Sequence, residues 1–428
     1  MYQALLHKVL KNIKPSEKEK KEEVGFTKSL LKTIRRTVPH SVNVILTGSM
    51  AKATYLREGK DIDVFILFNR KKPREQFENE IKKIMKKAFP GVHYQLSYAE
   101  HPYARFHLHG RRIDLVPAYK IKKASERRSA VDRSALHTEY VLRNLGTKQR
   151  EEVLLLKQFL KSAGIYGAEI KVGGFSGYLC ELLVIQYGSF MKTIRAAAKW
   201  RVPVFIDLLV VYREAEQPAV TKQFGKQLVV IDPTDRHRNV AAAVSAENLK
   251  RFTSMSVKFL KKPSLNYFFK KPKTFEQKVK ELKRKGYTYL LVLQKPELVD
   301  DVLWGQLKKL IKQLESYLEK NGFVICSPGI IADDSEGRIS LLFAVKEREL
   351  SEWQMVAGPP LHMKKHVQSF IKHHKGATFK RKKGRIYALV KRKIRTVECA
   401  VKEAFGKFGI ASGSYFADHA RKTSIRII

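Results

Sequence analysis

With 428 residues, 44% of them hydrophobic, the chain has room for two to four globular domains, and three cysteines without C-x-x-C spacing argue against disulfide or zinc scaffolding. No apolar run reaches membrane-spanning length and residues 1–11 lack a signal-peptide core, so the expectation is a cytoplasmic protein with no membrane partner. Lys and Arg number 84 against 41 acidic residues, and the resulting +43 draws a polyanion, nucleic acid first, unless the whole source proteome shares a basic bias. Residues 1–38 read as two helices. Leu5, Val9 and Ile13 share a face of the first, and after Pro15 a capping box, Ser16-x-x-Glu19, opens a second, highly charged one.

After Pro39 an apolar strand ends at Thr47 and runs into Gly48-Ser49, a short polar segment of helical character, then a second strand carrying Asp61 and Asp63. Strand side chains alternate faces, so Asp-Ile-Asp sets both carboxylates on one side while Ile62, Val64 and Ile66 point into a core. Residues 75–88 carry Phe77, Ile81, Ile84 and Met85 at helical spacing before Pro90-Gly91 stops the run. Extended segments follow at about 92–98, 104–109 and 111–119, the last with Asp114 between Ile113 and Leu115. The order αα-β-α-β-α-β-β-β predicts a small mixed sheet with helices on it.

Adjacent carboxylates repel, and a divalent cation is the usual reason to keep them together. Alone, the D-x-D pair also fits a solvated strand edge. Three carboxylates from two strands can hold two metal ions about 4 Å apart, Gly48 lets backbone approach phosphate closely, and Ser49 adds a hydroxyl donor. Strand, Gly-Ser turn, D-I-D and a distant strand Asp together are the arrangement of the nucleotidyltransferase palm, which we place at residues 1–142.

From about Asp132 the pattern turns helical. Residues 150–162 put Val153, Leu156, Phe159 and Leu160 on one stripe and stop at Gly164, 175–187 form an apolar helix, and Gly188 leads into another at 190–200. This predicts an all-helical block over 143–262. The following LNYFFKKPKTF is aromatic and basic, fitting either a hydrophobic clamp between domains or a stacking platform for bases. Beyond it, strands at 289–294, 323–326 and 338–346 with a helix at about 298–320 suggest a ferredoxin-like α+β sandwich. Residues 362–375 and 380–395 are dense in Lys, Arg and His, and the third domain, 263–428, reads as a basic RNA-binding body and tail.

At GSMAKATYLREGKDIDVFILF, AEHPYARFHLHGRRIDLVPAY and SAVDRSALH, and on through LLLKQFLKSAGIYGAEIKVGGFSGYLCELLVIQYGSF and IDPTDRHRNVAAAVS, the sequence resembles the archaeal-type, class I CCA-adding enzymes, the tRNA nucleotidyltransferases. The resemblance covers about residues 40–265 and weakens at both ends. It implies an α+β multidomain fold with a palm head, a helical neck, and a body and tail holding the top half of tRNA. It also implies template-independent addition of C, C and A to the tRNA 3′ end from CTP and ATP, with two Mg²⁺ ions. Mn²⁺ fills the same octahedral oxygen sites. The partners implied are tRNA, CTP and ATP, and a homodimer is left open.

Residue by residue, the resemblance makes Asp61, Asp63 and Asp114 the catalytic, metal-binding carboxylates. Gly48 and Ser49 match the phosphate-binding turn, and Lys52 stands where relatives often carry Arg, a point charge in place of a planar fork. His137, Lys157 and Tyr166 match residues that contact the incoming nucleotide, and Arg238 matches an arginine reading the base edge jointly with tRNA phosphate. Without the resemblance, Lys157 reads as one more surface lysine and His137 as a solvated loop residue. The same Gly-Ser and D-I-D pattern belongs to poly(A) and oligo(A) polymerases, and a catalytically inactive palm-like RNA-binding protein is the alternative from another class. The three intact aspartates count against the latter.

Overall fold

The structure is a computed structural model describing residues 2–69, 72–98, 102–270, 273–335, 337–406 and 424–428. The chain divides at residue 272 into two compact units. The first opens with α1 (Tyr2–Ile13) and α2 (Glu17–Arg35), the latter started by the Ser16/Glu19 capping box with both reciprocal hydrogen bonds made. Then come β1 (Asn43–Thr47), α3 (Gly48–Lys52), β2 (Asp61–Phe68), α4 (Phe77–Ala88), β3 (Tyr94–Tyr98), β4 (Pro102–Leu108) and β5 (Arg111–Tyr119). This is the predicted order. Residues 99–101 of the AEHPYARF motif lie outside the described residues.

The five strands form one mixed sheet, β1-β2-β5-β4-β3, in which only β2 and β5 pair in parallel. One face is dry: Ile62, Val64, Ile66 and Phe68 of β2 pack with Ile113 and Leu115 of β5 under Leu30 and Ile34 of α2 and Phe77, Ile81 and Ile84 of α4. Burying each of these large side chains contributes about 1.5–3 kcal/mol, which fixes the register, since a one-residue slip would carry the apolar row to the other face and the acids into the core.

The helical part follows as α5 (Ser134–Asn144), α6 (Thr147–Ser162), α7 (Gly177–Tyr187), α8 (Phe190–Ala197), α9 (Gln217–Phe224) and α10 (Ala246–Lys261). It is not purely helical. A three-stranded sheet, β6 (Val204–Ile206), β7 (Leu228–Asp232) and β8 (Asp235–Asn239), is built into it. The buried β-branched run Val229-Val230-Ile231 makes β7 a strand, and the two residues Pro233-Thr234 turn it into β8. Strands of three to five residues are too short to show an alternating pattern, which is why the sequence reads as helix here. α1 joins this core through Val9 and Ile13. So does the aromatic segment after α10: Phe268 is fully buried against Phe159, Phe190 and Phe259, and Tyr267 stacks on Phe159. Those two rings therefore pack into the helical core of the first unit, and Leu265 and Phe269 stay exposed; Lys271 and Pro272 lie outside the described residues.

The second unit contains α11 (Phe275–Lys283), β9 (Tyr287–Gln294), α12 (Asp300–Lys320), β10 (Ile331–Ser335), β11 (Arg338–Val345), β12 (Trp353–Pro360), α13 (Lys364–His373), β13 (Thr378–Lys382), β14 (Arg385–Lys391), α14 (Val397–Gly406) and β15 (Ser424–Ile427). β9-α12-β10-β11-α14-β15 is a βαββαβ unit with antiparallel strand order β10-β11-β9-β15, the ferredoxin-like arrangement. The β12-β14-β13 sheet and α13 are inserted between β11 and α14. The strand expected at 323–326 reduces to one bridge, Ile325 with Val345, and the second strand of the unit is instead IADDS. As an edge strand it needs no apolar alternation, so its acidic residues hid it.

Candidate active site

Strand pairing brings the carboxylates together. β2 and β5 run in parallel with Asp63 opposite Asp114 and Asp61 opposite Arg112. The alternation that buries Ile62, Val64, Ile113 and Leu115 turns the three acids to the other face, into a cleft of about 450 Å³. Gly48 closes on them: its φ is 67°, and a Cβ there would stand 1.9 Å from Asp63 Oδ2, so no other residue lets the turn pass so near the carboxylate.

Each outer acid is held by an arginine. Arg105 donates from Nε and Nη2 to the two oxygens of Asp114, both at 2.8 Å, and Arg112 Nη2 donates to Asp61 Oδ2 at 2.5 Å. Burial, then the charge of Asp114, then that of Asp61 push the Asp63 carboxyl up to about 6. Among the described residues no three His, Cys, Asp or Glu side chains stand as a ready-made metal cage. The fit to a cation rests on the donor set: three mutually repelling carboxylates are hard oxygen ligands, and charge neutralisation at Asp63 is what this site lacks.

The same cleft is lined from the helical part by His137, Lys157, Tyr166, Gly177, Tyr178 and Glu181, and from the palm by Ser49 and Lys52. Lys157, 1% exposed, donates to the Thr54 carbonyl at 2.8 Å and to Thr54 Oγ1 at 3.2 Å, with Glu181 Oε1 3.6 Å away. Lys52 donates to Glu181 Oε2 at 2.5 Å. Burial lowers the Lys157 ammonium, opposed by Glu181. The Tyr166 phenol is raised by burial and stays a neutral donor. The hydroxyl of Tyr166 and the Lys157 ammonium crowd Gly177, where a Cβ would meet them at 3.2 and 3.4 Å.

His137 stacks on Tyr178 with ring centroids 4.2 Å apart and shares a 2.8 Å hydrogen bond with Asp232 Oδ2. Arg238 Nη1 donates to that same oxygen at 2.8 Å, and Tyr178 donates to Oδ1 at 3.1 Å. Burial would raise the Asp232 carboxyl, but His137, the Thr234 N–H and Arg238 outweigh it and hold it well below the usual range. Burial favours neutral His137 despite Asp232. Of the ten residues expected from sequence, nine line this cleft, and Arg238 reaches it through Asp232.

Three family models cover most of the chain: a nucleotidyltransferase domain matches residues 27–137, the second domain of tRNA nucleotidyltransferase matches 151–269, and the C-terminal domain of CCA-adding enzyme matches 284–425. A CCA-adding enzyme of Methanocaldococcus jannaschii is 35% identical over 86% of this chain and 84% of its own. The chain belongs to the CCA-adding enzyme family. One from Saccharolobus shibatae is 34% identical over 92% of this chain and 90% of its own. The solved structure of a cytoplasmic RNA terminal U-transferase superposes with a TM-score of 0.50 at 16% identity, covering 64% of this chain and 99% of that one, which shows a shared fold. Nucleotidyltransferases of this superfamily generally use divalent metal ions.

Within this family member, sequence reasoning overlooked Arg105, Arg112, Thr54, Tyr178, Glu181 and Asp232. Glu181 left a signal, a single acid inside the otherwise apolar YLCELLV of α7, and a lone charge in a buried run needs a partner. Asp232 ends the apolar run LVVID just as plainly, but its role depends on partners 54 and 95 positions away in sequence.

Proposed function

We propose that this CCA-adding enzyme extends the 3′ end of tRNA with C, C and A from CTP and ATP, releasing pyrophosphate, and that the cleft between palm and helical part is where it does so. The observation that carries this reading is the pairing of Asp63 with Asp114 in one cleft with His137, Lys157 and Tyr166. Asp61, Asp63 and Asp114 would hold the divalent ions, taken as Mg²⁺, which when bound acidify the attacking 3′-hydroxyl and neutralise the triphosphate.

The chain's own residues do the rest. The Gly48-Ser49 turn brings backbone and the Ser49 hydroxyl to the phosphates, and Lys52 and Lys157 supply cationic donors. Tyr166 donates a hydrogen bond from a phenol that stays protonated. His137, Tyr178 and Arg238, tied together at Asp232, form the surface that reads the base. A pocket built on such fixed donors refuses UTP and GTP by leaving them unpaired. In this reading residues 1–142 form the palm, 143–262 the nucleotide-binding neck and 263–428 the tRNA-binding body and tail. Incorporation of labelled CTP and ATP into tRNA lacking its 3′ end tests it: both nucleotides should enter, and incorporation of ATP alone in long runs would favour a poly(A)-type polymerase instead.

A further inference from the structure

Two ammonium groups and one carboxylate lie in the wall of the cleft. Lys52 is 6% exposed, Lys157 1% and Glu181 0%. Glu181 Oε2 accepts from Lys52 at 2.5 Å, and Oε1 accepts from Thr54 Oγ1 at 2.6 Å with Lys157 Nζ 3.6 Å away. Thr54 in turn receives Lys157 on both its carbonyl and its hydroxyl. One acid on α7 therefore fixes a lysine from α3 of the palm and a lysine from α6, both lining the cleft that holds Ser49, Asp63 and Asp114.

We propose that Glu181 is a positioning residue for the triphosphate: it holds Lys52 and Lys157 at the cleft wall and leaves them one unit of positive charge in excess. Buried charge is expensive unless paired. Lys52 also acts on Asp63 across the cleft, but Lys157 has Glu181 as its acid and Glu181 is shared between the two lysines, so the wall favours a further anion. An anionic phosphate group entering beside the Gly48-Ser49 turn supplies it. The proposal rests on the reading that the two lysines face the nucleotide's phosphates. It adds that their orientation is set by a residue that touches no substrate.

The other groups facing Lys157 do not supply this function. Cys180, beside Glu181 on α7, has its thiol pushed up to about 12 by burial and stays neutral. Tyr166, in the segment after α6, and Tyr178 on α7 have phenols raised by burial and stay neutral as well. Lys52 faces the ring of Tyr178 at 5.8 Å. Among the groups acting on Lys157, Glu181 is the strongest of those that oppose the lowering of its ammonium by burial.

The test is steady-state kinetics of Glu181→Gln with CTP and ATP on tRNA, across pH, next to thermal melts and tRNA binding. Gln keeps the shape, but its amide nitrogen meets a donor and its charge is gone. KM for both nucleotides should rise about tenfold to a hundredfold, as for loss of a charged hydrogen bond. kcat and tRNA affinity should stay within a few-fold. Without the carboxylate Lys157, whose ammonium Glu181 supports against burial, loses its proton more readily, so the alkaline limb of kcat/KM should move to lower pH. A folded Glu181→Gln enzyme with unchanged KM and an unmoved alkaline limb overturns the proposal. If that variant does not fold, Thr54→Val, which frees Glu181 without changing charge, must raise nucleotide KM a few-fold, and an unchanged KM there overturns it equally. Lys157→Ala separates the layers: unchanged nucleotide KM in that variant overturns the triphosphate reading itself, whereas raised KM there with unchanged KM in Glu181→Gln overturns only the role of Glu181.

Discussion

Asp232 and Arg238 are joined by a 2.8 Å hydrogen bond that uses Nη1 of the guanidinium, while the same carboxylate oxygen also binds His137. The acid is fully buried and the arginine side chain 30% exposed, so the bond anchors one corner of a planar fork and leaves most of its five donors outside it.

An arginine so anchored can bridge a base edge and a phosphate, and removing it should separate base choice from phosphate chemistry. Losing one charged hydrogen bond costs about 1.5–3 kcal/mol, roughly tenfold to more than a hundredfold in rate. Arg238→Ala should lower kcat/KM for CTP and ATP by that order and narrow their preference over UTP. Arg238→Lys should rescue little, since an ammonium has no planar fork. A four-nucleotide single-addition assay reads this, and equal loss of all four nucleotides would reassign Arg238 to triphosphate binding or to structure.

The catalytic role proposed for Asp63 has a consequence for stability. Its carboxyl titrates near 6 in the folded chain against 3.8 unperturbed, so between those values the folded state keeps a proton that the unfolded chain has released. Stability contributed below pH 4 is thus lost as pH rises through about 6, by about 1–3 kcal/mol. Asp63→Asn should abolish nucleotide addition yet raise the Tm at pH 7.5 in metal-free buffer, and flatten the fall between pH 4 and 6. Melts of both proteins from pH 4 to 8 in EDTA check this. Identical curves would mean that Asp63 carries no charge penalty.

Gly48 should tolerate no side chain. Alanine there would set a Cβ 1.9 Å from Asp63 Oδ2 in a backbone conformation costing about 1–2 kcal/mol for an L residue. Gly48→Ala should lose at least a hundredfold in kcat while binding tRNA within a few-fold of the parent. Retained activity would show that the turn need not approach the carboxylate.

The palm was legible because its chemistry sits on a period-two strand: D-I-D between apolar residues states which face is wet. Ser16 and Glu19 announced a helix start by a local hydrogen-bond exchange, and the structure makes both bonds. What stayed hidden depends on pairing across long sequence separations. Phe268 looked the same as a clamp or as a stacking platform until the packing of α6, α8 and α10 buried it. Lys157 was recognisable only through the family resemblance, because nothing in its helix tells that Thr54 and Glu181 will meet it. Arg105 and Arg112 were two more basic residues in a basic chain until the pairing of β5 with β4 and β2 set them against Asp114 and Asp61.

The inserted sheet of the second unit offers a test of the tRNA grip. Lys380, Arg381 and Lys382 are exposed on edge strand β13, where Arg381 pairs with Ile386 of the buried row that Ile386 and Ala388 of β14 form. Changing the three basic residues together to Gln leaves that row intact. If they meet phosphates, the log–log salt dependence of tRNA binding should flatten by about 0.7 to 0.9 for each phosphate no longer neutralised. An unchanged slope would assign them to a solvated face.

The most direct measurement is to extend a tRNA lacking its last three nucleotides with all four nucleoside triphosphates, using the parent enzyme and Asp63→Asn side by side, and to sequence the product 3′ ends. Parent products should end in CCA and stop there, and the variant should add nothing while still binding the tRNA. Products ending in uniform A or U runs, or CCA ends made by Asp63→Asn, would contradict the account.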